Sequence, residues 1–292
     1  MRVLVLGVAG MLGHKIYQVL DTDFDVMGTI RGSYADISKY GLFRESQILA
    51  GINAMDISRL DEIIRTAKPE AVINCIGITK HLEQSQNRLL SIWVNSLLPH
   101  QLYQRCHDRG IRLIHISTDC VFSGRKGSYR EEDPSDAEDT YGKTKYLGEV
   151  TGDRALTIRT SIIGRELSTA NGLAEWFMSN RGGKVNGFTR AIFSGFPTVH
   201  MARIIGDILT EHRNLSGIYH ISAEPIDKFR LLTLINNEMG LGIEVMEDDG
   251  FYCDRSLNST MYRTATGFEP LSWDRMIADF AKDAEQYQKW RQ

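Results

Sequence analysis

An uninterrupted apolar run, Val3-Leu4-Val5-Leu6, leads into three glycines, Gly7, Gly10 and Gly13, while Leu12, Ile16, Val19 and Leu20 recur at helical spacing. A strand with no polar interruption is one buried on both faces, as in a parallel sheet. Apolar positions three and four apart define one face of a helix. Each glycine has its own use at such a junction: Gly7 permits the tight turn, Gly10 lets the backbone approach a ligand, and Gly13 lets the helix pack close to the strand. The N–H groups and positive dipole end of the helix then face a diphosphate. Gly7, Gly10, Met11, Leu12 and Gly13 therefore read as a dinucleotide-binding turn.

The chain continues the same rhythm. Spacing predicts strands over 24–30, 71–76, 111–116 and 156–158, and helices around Leu60 to Ile64, over 93–106 and over 141–150. Strand and helix in alternation give an α/β fold, a Rossmann-like doubly wound parallel sheet with right-handed crossovers. After about Gly164 the rhythm loosens, with helices over 201–209, 228–238 and 273–287 and a strand over 217–221. The expected division is a dinucleotide-binding domain over 1–164 and a smaller α/β substrate-binding lobe over 165–292, partly interleaved with the first.

Composition narrows the classes of function. A net charge of −3 with mixed signs gives no case for nucleic acid or an anionic membrane as partner. No apolar run approaches the length of a membrane helix, and the first residues lack the pattern of a secretion signal. The four cysteines are far apart, which argues against a zinc site or a disulfide framework; no metal is expected, and the cytoplasm is the expected compartment.

The predicted second strand ends in Arg31-Gly32-Ser33 with no acid. An acid there bonds a ribose 2′-hydroxyl, whereas arginine suits a 2′-phosphate. Arg31, helped by Ser33, points to NADPH, with NADH left open. Tyr141 and Lys145 form the chain's only Tyr-x-x-x-Lys. Residues four apart share a helix face. An ammonium beside a phenol favours the phenolate, so Tyr141 can give a proton to a carbonyl oxygen as hydride reaches its carbon. Lys145 would also bond the nicotinamide ribose, and Lys143 at i+2 points away from that face. Thr118 stands just past a buried run, at the strand end where ligands bind in open α/β sheets. Its hydroxyl can orient the carbonyl, or simply cap the loop.

Several ordered segments resemble the dTDP-4-dehydrorhamnose reductase-like nucleotide-sugar 4-ketoreductases, a branch of the extended short-chain dehydrogenase/reductase family. They are the Gly7-x-x-Gly10-x-x-Gly13 loop, 72–77, Val94-Asn95, 117–124, 141–145 with Gly148-Glu149, 156–161, 196–198 and 254–259. The resemblance implies NAD(P)H-dependent reduction of the 4-keto group of a nucleotide-activated 6-deoxy sugar, in deoxysugar and cell-surface polysaccharide biosynthesis. It implies Thr118, Tyr141 and Lys145 as the catalytic trio. It places Gly7, Gly10, Met11, Leu12, Arg31, Asp56, Ile57, Cys75, Ile76, Gly77 and Asn95 beside the cofactor. Asp56 reads equally as a bond to the adenine amino group and as a residue of a helix N-cap. From its apolar surroundings, Cys75 reads as a small core residue.

Asp119, Cys120 and Ile162 fall where the rhamnose enzymes contact the sugar. Those enzymes typically carry an aromatic residue at the position of Cys120 and tryptophan at that of Ile162. The smaller side chains imply a differently shaped pocket and a UDP- or GDP-linked 4-keto sugar as an alternative substrate. Lys80 and His81 would face the substrate, and Arg190 and Arg255 would hold its diphosphate, with a surface charge as the competing reading. The acidic run Asp136-Ala137-Glu138-Asp139 reads as a solvated loop. A homodimer is the family expectation. Two other functions stay open: an epimerase on the same fold, and a dinucleotide-binding regulatory subunit without turnover. A dehydratase is disfavoured, because Cys120 stands where its glutamate would be.

Overall fold

The computed structural model describes residues 1–80 and 86–290, so His81 lies outside the described residues. The elements run β1 (Arg2–Leu6), α1 (Met11–Leu20), β2 (Asp25–Thr29), α2 (Ala35–Ser38), β3 (Ile48–Leu49), α3 (Ile57–Ala67), β4 (Ala71–Asn74), α4 (Arg88–Ser91), α5 (Leu98–His107), β5 (Arg112–Ile116), α6 (Thr140–Leu147) and β6 (Ala155–Arg159). They continue with β7 (Ile162–Ile163), α7 (Leu173–Ser179), β8 (Lys184–Phe188), β9 (Ala191–Phe193), β10 (Phe196–Pro197), α8 (Thr198–Thr210), β11 (Gly217–His220), β12 (Ile226–Asp227), α9 (Lys228–Met239), β13 (Glu244–Asp248), β14 (Cys253–Asp254), α10 (Thr260–Thr266) and α11 (Trp273–Trp290). A seven-stranded sheet has the order β11-β6-β5-β4-β1-β2-β3, and the pairs from β6 to β3 are parallel. This is a Rossmann-like α/β fold.

The chain divides into two units. The first comprises Met1–Ser117, Asp139–Ile158 and Met201–Ile218; the second comprises Thr118–Glu138, Arg159–His200 and Tyr219–Gln292. In the first, Val3 to Leu6 are fully buried, and Leu4 and Leu6 pack with Leu60 and Ile64 of α3 and Leu98 and Leu102 of α5. In the second, α9 supplies Leu231, Leu232 and Ile235 to a core shared with Phe177, Ile277 and Phe280.

Three local readings need correction. The strand expected over 71–76 ends at Asn74, whose side-chain Oδ1 accepts the Ile76 N–H at 3.1 Å and turns the chain out of the sheet. The long helix expected over 93–106 contains a π-helical stretch, Ile92–Leu97, between α4 and α5. The helix expected to reach residue 150 ends at Leu147, with Gly148 as its C-cap. The carboxylates of the acidic run are exposed, as expected of a solvated loop, and they also hold neighbouring backbone and side chains. Asp136 accepts from Ser123 N–H and Oγ at 2.7 and 2.5 Å, Glu138 pairs with Arg125, and Asp139 caps α6 by accepting from Gly142 N–H at 2.7 Å.

In the second unit, Arg165 Nε donates to Glu175 Oε1 at 2.7 Å, with only 5% and 2% of the two side chains exposed. Breaking a buried pair from one side leaves a charge without its counter-charge. Glu175→Gln is therefore expected to lose about 3 kcal/mol of stability, read as a lower urea midpoint at unchanged slope. No described helix is long and apolar enough to cross a membrane. Among the described residues no three His, Cys, Asp or Glu gather as a metal site.

Candidate active site

The junction after β1 has the geometry that its glycines imply. Gly7 has φ +85°, in the left-handed region, and a Cβ on Gly13 would overlap the Gly7 carbonyl oxygen. Gly10 is different, since a Cβ there would meet only the Gly7 oxygen, at 3.4 Å. Packing therefore does not require a glycine at Gly10. Gly10 is also the N-cap of α1. No side chain caps that end and no acid stands in its first turn, which begins with Met11 and Leu12. The positive end of the helix is thus suited to an anion.

The strand ends next in the sheet complete this edge of the first unit. Cys75, Ile76 and Gly77 follow β4, and a Cβ on Gly7 would lie 3.1 Å from Ile76 Cγ1. Burial pushes the Cys75 thiol up to about 12, against the pull of Lys145, so it stays a neutral thiol. Asn95 sits in the π-helical stretch. Its Oδ1 accepts from Ile78 N–H at 2.8 Å, while its Nδ2 donates to Ile78 O at 2.9 Å and Thr144 Oγ1 at 3.2 Å. It fastens the loop after β4 to α6.

Helix α6 carries Tyr141 and Lys145 one turn apart. Lys145 is 4% exposed, whereas Lys143 is exposed. Lys145 Nζ donates to Ile116 O at the end of β5, at 2.7 Å. Burial lowers its pKa to about 8, with Glu149 and Cys75 pulling the other way. Glu149 Oε1 in turn accepts from Ser117 Oγ at 2.7 Å. The first unit thus brings together Gly7, Cys75, Ile76, Asn95 and Lys145.

Arg31 is exposed after β2. Ser33 N–H beside it already donates to Asp36 Oδ2 at 2.7 Å, so that donor serves the loop. Asp56 Oδ1 caps α3 by accepting from Arg59 N–H at 3.0 Å, and Ile57 is the first residue of that helix. Lys80 is exposed.

In the second unit, Thr118 caps a short 3-10 turn, Asp119–Val121. Its Oγ1 accepts from Cys120 N–H and donates to Asp119 Oδ1, both at 3.1 Å. Arg255 Nε donates to Phe122 O at 2.8 Å, just beyond that turn. Ile162 lies in β7, paired with Phe196. Arg190 is exposed, with its guanidinium 5.2 Å from the Tyr252 ring centre.

Two residues escaped the sequence reading, Asn74 and His115, which form a buried polar row behind Lys145. The available signal was a polar side chain inside each of two otherwise apolar strands.

The chain is 30% identical over 166 residues to the dTDP-4-dehydrorhamnose reductase of Streptomyces griseus, a match covering 55% of this chain and 49% of that one. It thus spans about half the length of that relative. It is 26% identical over 259 residues to methionine adenosyltransferase 2 subunit beta of Danio rerio, covering 82% and 74%. The solved dTDP-4-dehydrorhamnose reductase of Bacillus anthracis strain Ames, in complex with NADP, has a TM-score of 0.78 at 19% identity, covering 97% of this chain and 99% of that chain, and shows the shared fold. The family model described as RmlD substrate binding domain matches residues 1–285. From its first strand into its last helix, this chain belongs to the RmlD substrate binding domain family.

Proposed function

We propose that this protein is an NADPH-dependent reductase of the 4-keto group of a nucleotide-activated 6-deoxy sugar, serving deoxysugar and cell-surface polysaccharide biosynthesis. The observation that carries the reading is Lys145, buried on the helix of Tyr141 and anchored on the end of β5, at the sheet edge that also bears the glycine turn. The similarity to a Streptomyces griseus protein of that activity supports it.

The residues present fit a dinucleotide. The backbone of Gly7, Gly10, Met11 and Leu12, with the open end of α1, would hold the diphosphate. Arg31 would pair with the 2′-phosphate. A bound reduced nicotinamide supplies a hydride to the C4 carbonyl carbon of the sugar. The Tyr141 hydroxyl gives its proton to the carbonyl oxygen, which completes the alcohol. The Lys145 ammonium stabilises the phenolate left behind. Thr118 Oγ1 steadies the developing alkoxide, and Asp119, Cys120 and Ile162 shape the sugar pocket. The division of labour is residues 1–164 for the dinucleotide and 165–292 for the substrate, partly interleaved, since Thr118, Asp119, Cys120 and Ile162 of the first part serve the substrate.

The test is to offer dTDP-, UDP- and GDP-linked 4-keto-6-deoxy sugars and follow cofactor oxidation. One class is expected to oxidise NADPH mole for mole, about tenfold faster than NADH, the worth of one charge-assisted contact. No oxidation with any of them sinks the reading, and sugar interconversion without oxidation makes the protein an epimerase. A preference for NADH removes Arg31 from its role. The second reading, a dinucleotide-binding subunit without turnover, draws on the longer match to a protein named as a subunit. The presence of both Tyr141 and Lys145 weighs against it.

A further inference from the structure

Behind Lys145 runs a row of buried polar groups whose polarity is set at one end by a backbone N–H. Ile76 N–H donates to Asn74 Oδ1 at 3.1 Å, which fixes the orientation of that amide. Asn74 Nδ2 then faces His115 Nδ1 at 3.1 Å and must donate to it. Asn74 and His115 are 0% and 1% exposed, so water does not rearrange the row. Burial, Lys145 and His100 all hold the His115 pKa well below its usual value, so the ring is neutral and carries one proton. With Nδ1 accepting, that proton is on Nε2, 3.4 Å from Lys145 Nζ.

Two donors therefore meet. An ammonium at Lys145 satisfies Ile116 O but finds a hydrogen, not a lone pair, on His115. A neutral amine still donates to Ile116 O and offers its lone pair to Nε2–H. The geometry points to His115 as a positioning residue that favours the neutral amine of Lys145 and so sets the pH above which the Tyr141–Lys145 pair stops working. The inference rests on the catalytic reading of that pair. The other titratable groups around Lys145 are Glu149 beyond the end of α6, Cys75 after β4 and Tyr141 on α6 itself, while His100 of α5 acts on His115. Glu149 and Cys75 favour the ammonium and burial opposes them; the His115 tautomer adds its bias to that of burial.

The test uses the whole chain with labelled lysines, following Lys145 by NMR against pH without substrate or cofactor, its signal assigned by loss in Lys145→Arg. The variants are His115→Gln, which can turn a carbonyl oxygen to Nζ, and Asn74→Asp, which accepts from Nδ1–H and leaves a lone pair on Nε2. Each is expected to raise the Lys145 pKa by about one pH unit, a tenfold change in the proton equilibrium. Because the aspartate charge itself attracts the ammonium, the double variant matters: its effect should fall short of the sum of the two single ones. The alkaline limb of kcat/KM should move up with the pKa. An unmoved Lys145 pKa in His115→Gln overturns the inference whatever the activity does. A pKa that moves while the limb stays put overturns the role of Lys145 in turnover, and the inference with it.

Discussion

Replacing Tyr141 with phenylalanine is expected to lower kcat/KM for the keto sugar about a thousandfold, mid-range for a lost general acid, while the Kd for NADPH stays nearly unchanged. The change deletes one oxygen from a partly exposed side chain at the first turn of α6, so the helix and its Asp139 cap should persist. The measurement pairs single-turnover cofactor oxidation with titration of cofactor binding. Full activity in the variant would show that Tyr141 is not the proton donor of the proposed reaction. Loss of cofactor binding alongside activity would show instead that the phenol holds the dinucleotide.

The second large effect is expected at Gly13. A methyl group there would overlap the Gly7 carbonyl oxygen and lie 2.9 Å from Gly7 C and 3.0 Å from Val8 Cα, all of it backbone. No rotamer change relieves that contact, so α1 must move away from β1. Gly13→Ala is expected to cost about 3 kcal/mol, the upper part of the range for overpacking, and to weaken dinucleotide binding more than tenfold, because the displaced helix end is the proposed seat of the diphosphate. Urea denaturation and a cofactor titration measure the two effects. Gly10→Ala provides the contrast: it should fold normally, since a Cβ there meets nothing closer than 3.4 Å, yet lose cofactor affinity. Equal behaviour of the two variants would contradict this account of the turn.

Legibility followed the length of each pattern. The run Val3 to Leu6 with its three glycines, and the helical repeats flanking β4 and β5, gave the parallel sheet because each spans several residues of one period. Lys145 could be chosen over Lys143 by helical spacing alone. The second unit was harder to read. Its strands β7, β10, β12 and β14 are two residues long, too short for any alternation to register. The π-helical stretch was invisible because Trp93, Leu97, Leu98 and Leu102 fit ordinary helical spacing. The carboxylates of the acidic run are exposed, as in a solvated loop, but composition does not reveal that Asp139 accepts from Gly142 N–H. The row from Asn74 to His115 depends on strands 41 residues apart becoming neighbours, which local pattern does not encode.

The widened turn between Ile92 and Leu97 holds one more residue than a regular helix would need there. A chain shortened by one position in this stretch would wind as a regular helix with α4 and α5 still in register, but the wide turn that presents Asn95 would be gone. Asn95 would then swing off Ile78 and Thr144, and the loop after β4 would lose its tie to α6. Insertions and deletions are usually tolerated in connecting loops; in this helix, a regularising deletion would tidy the backbone and undo the site.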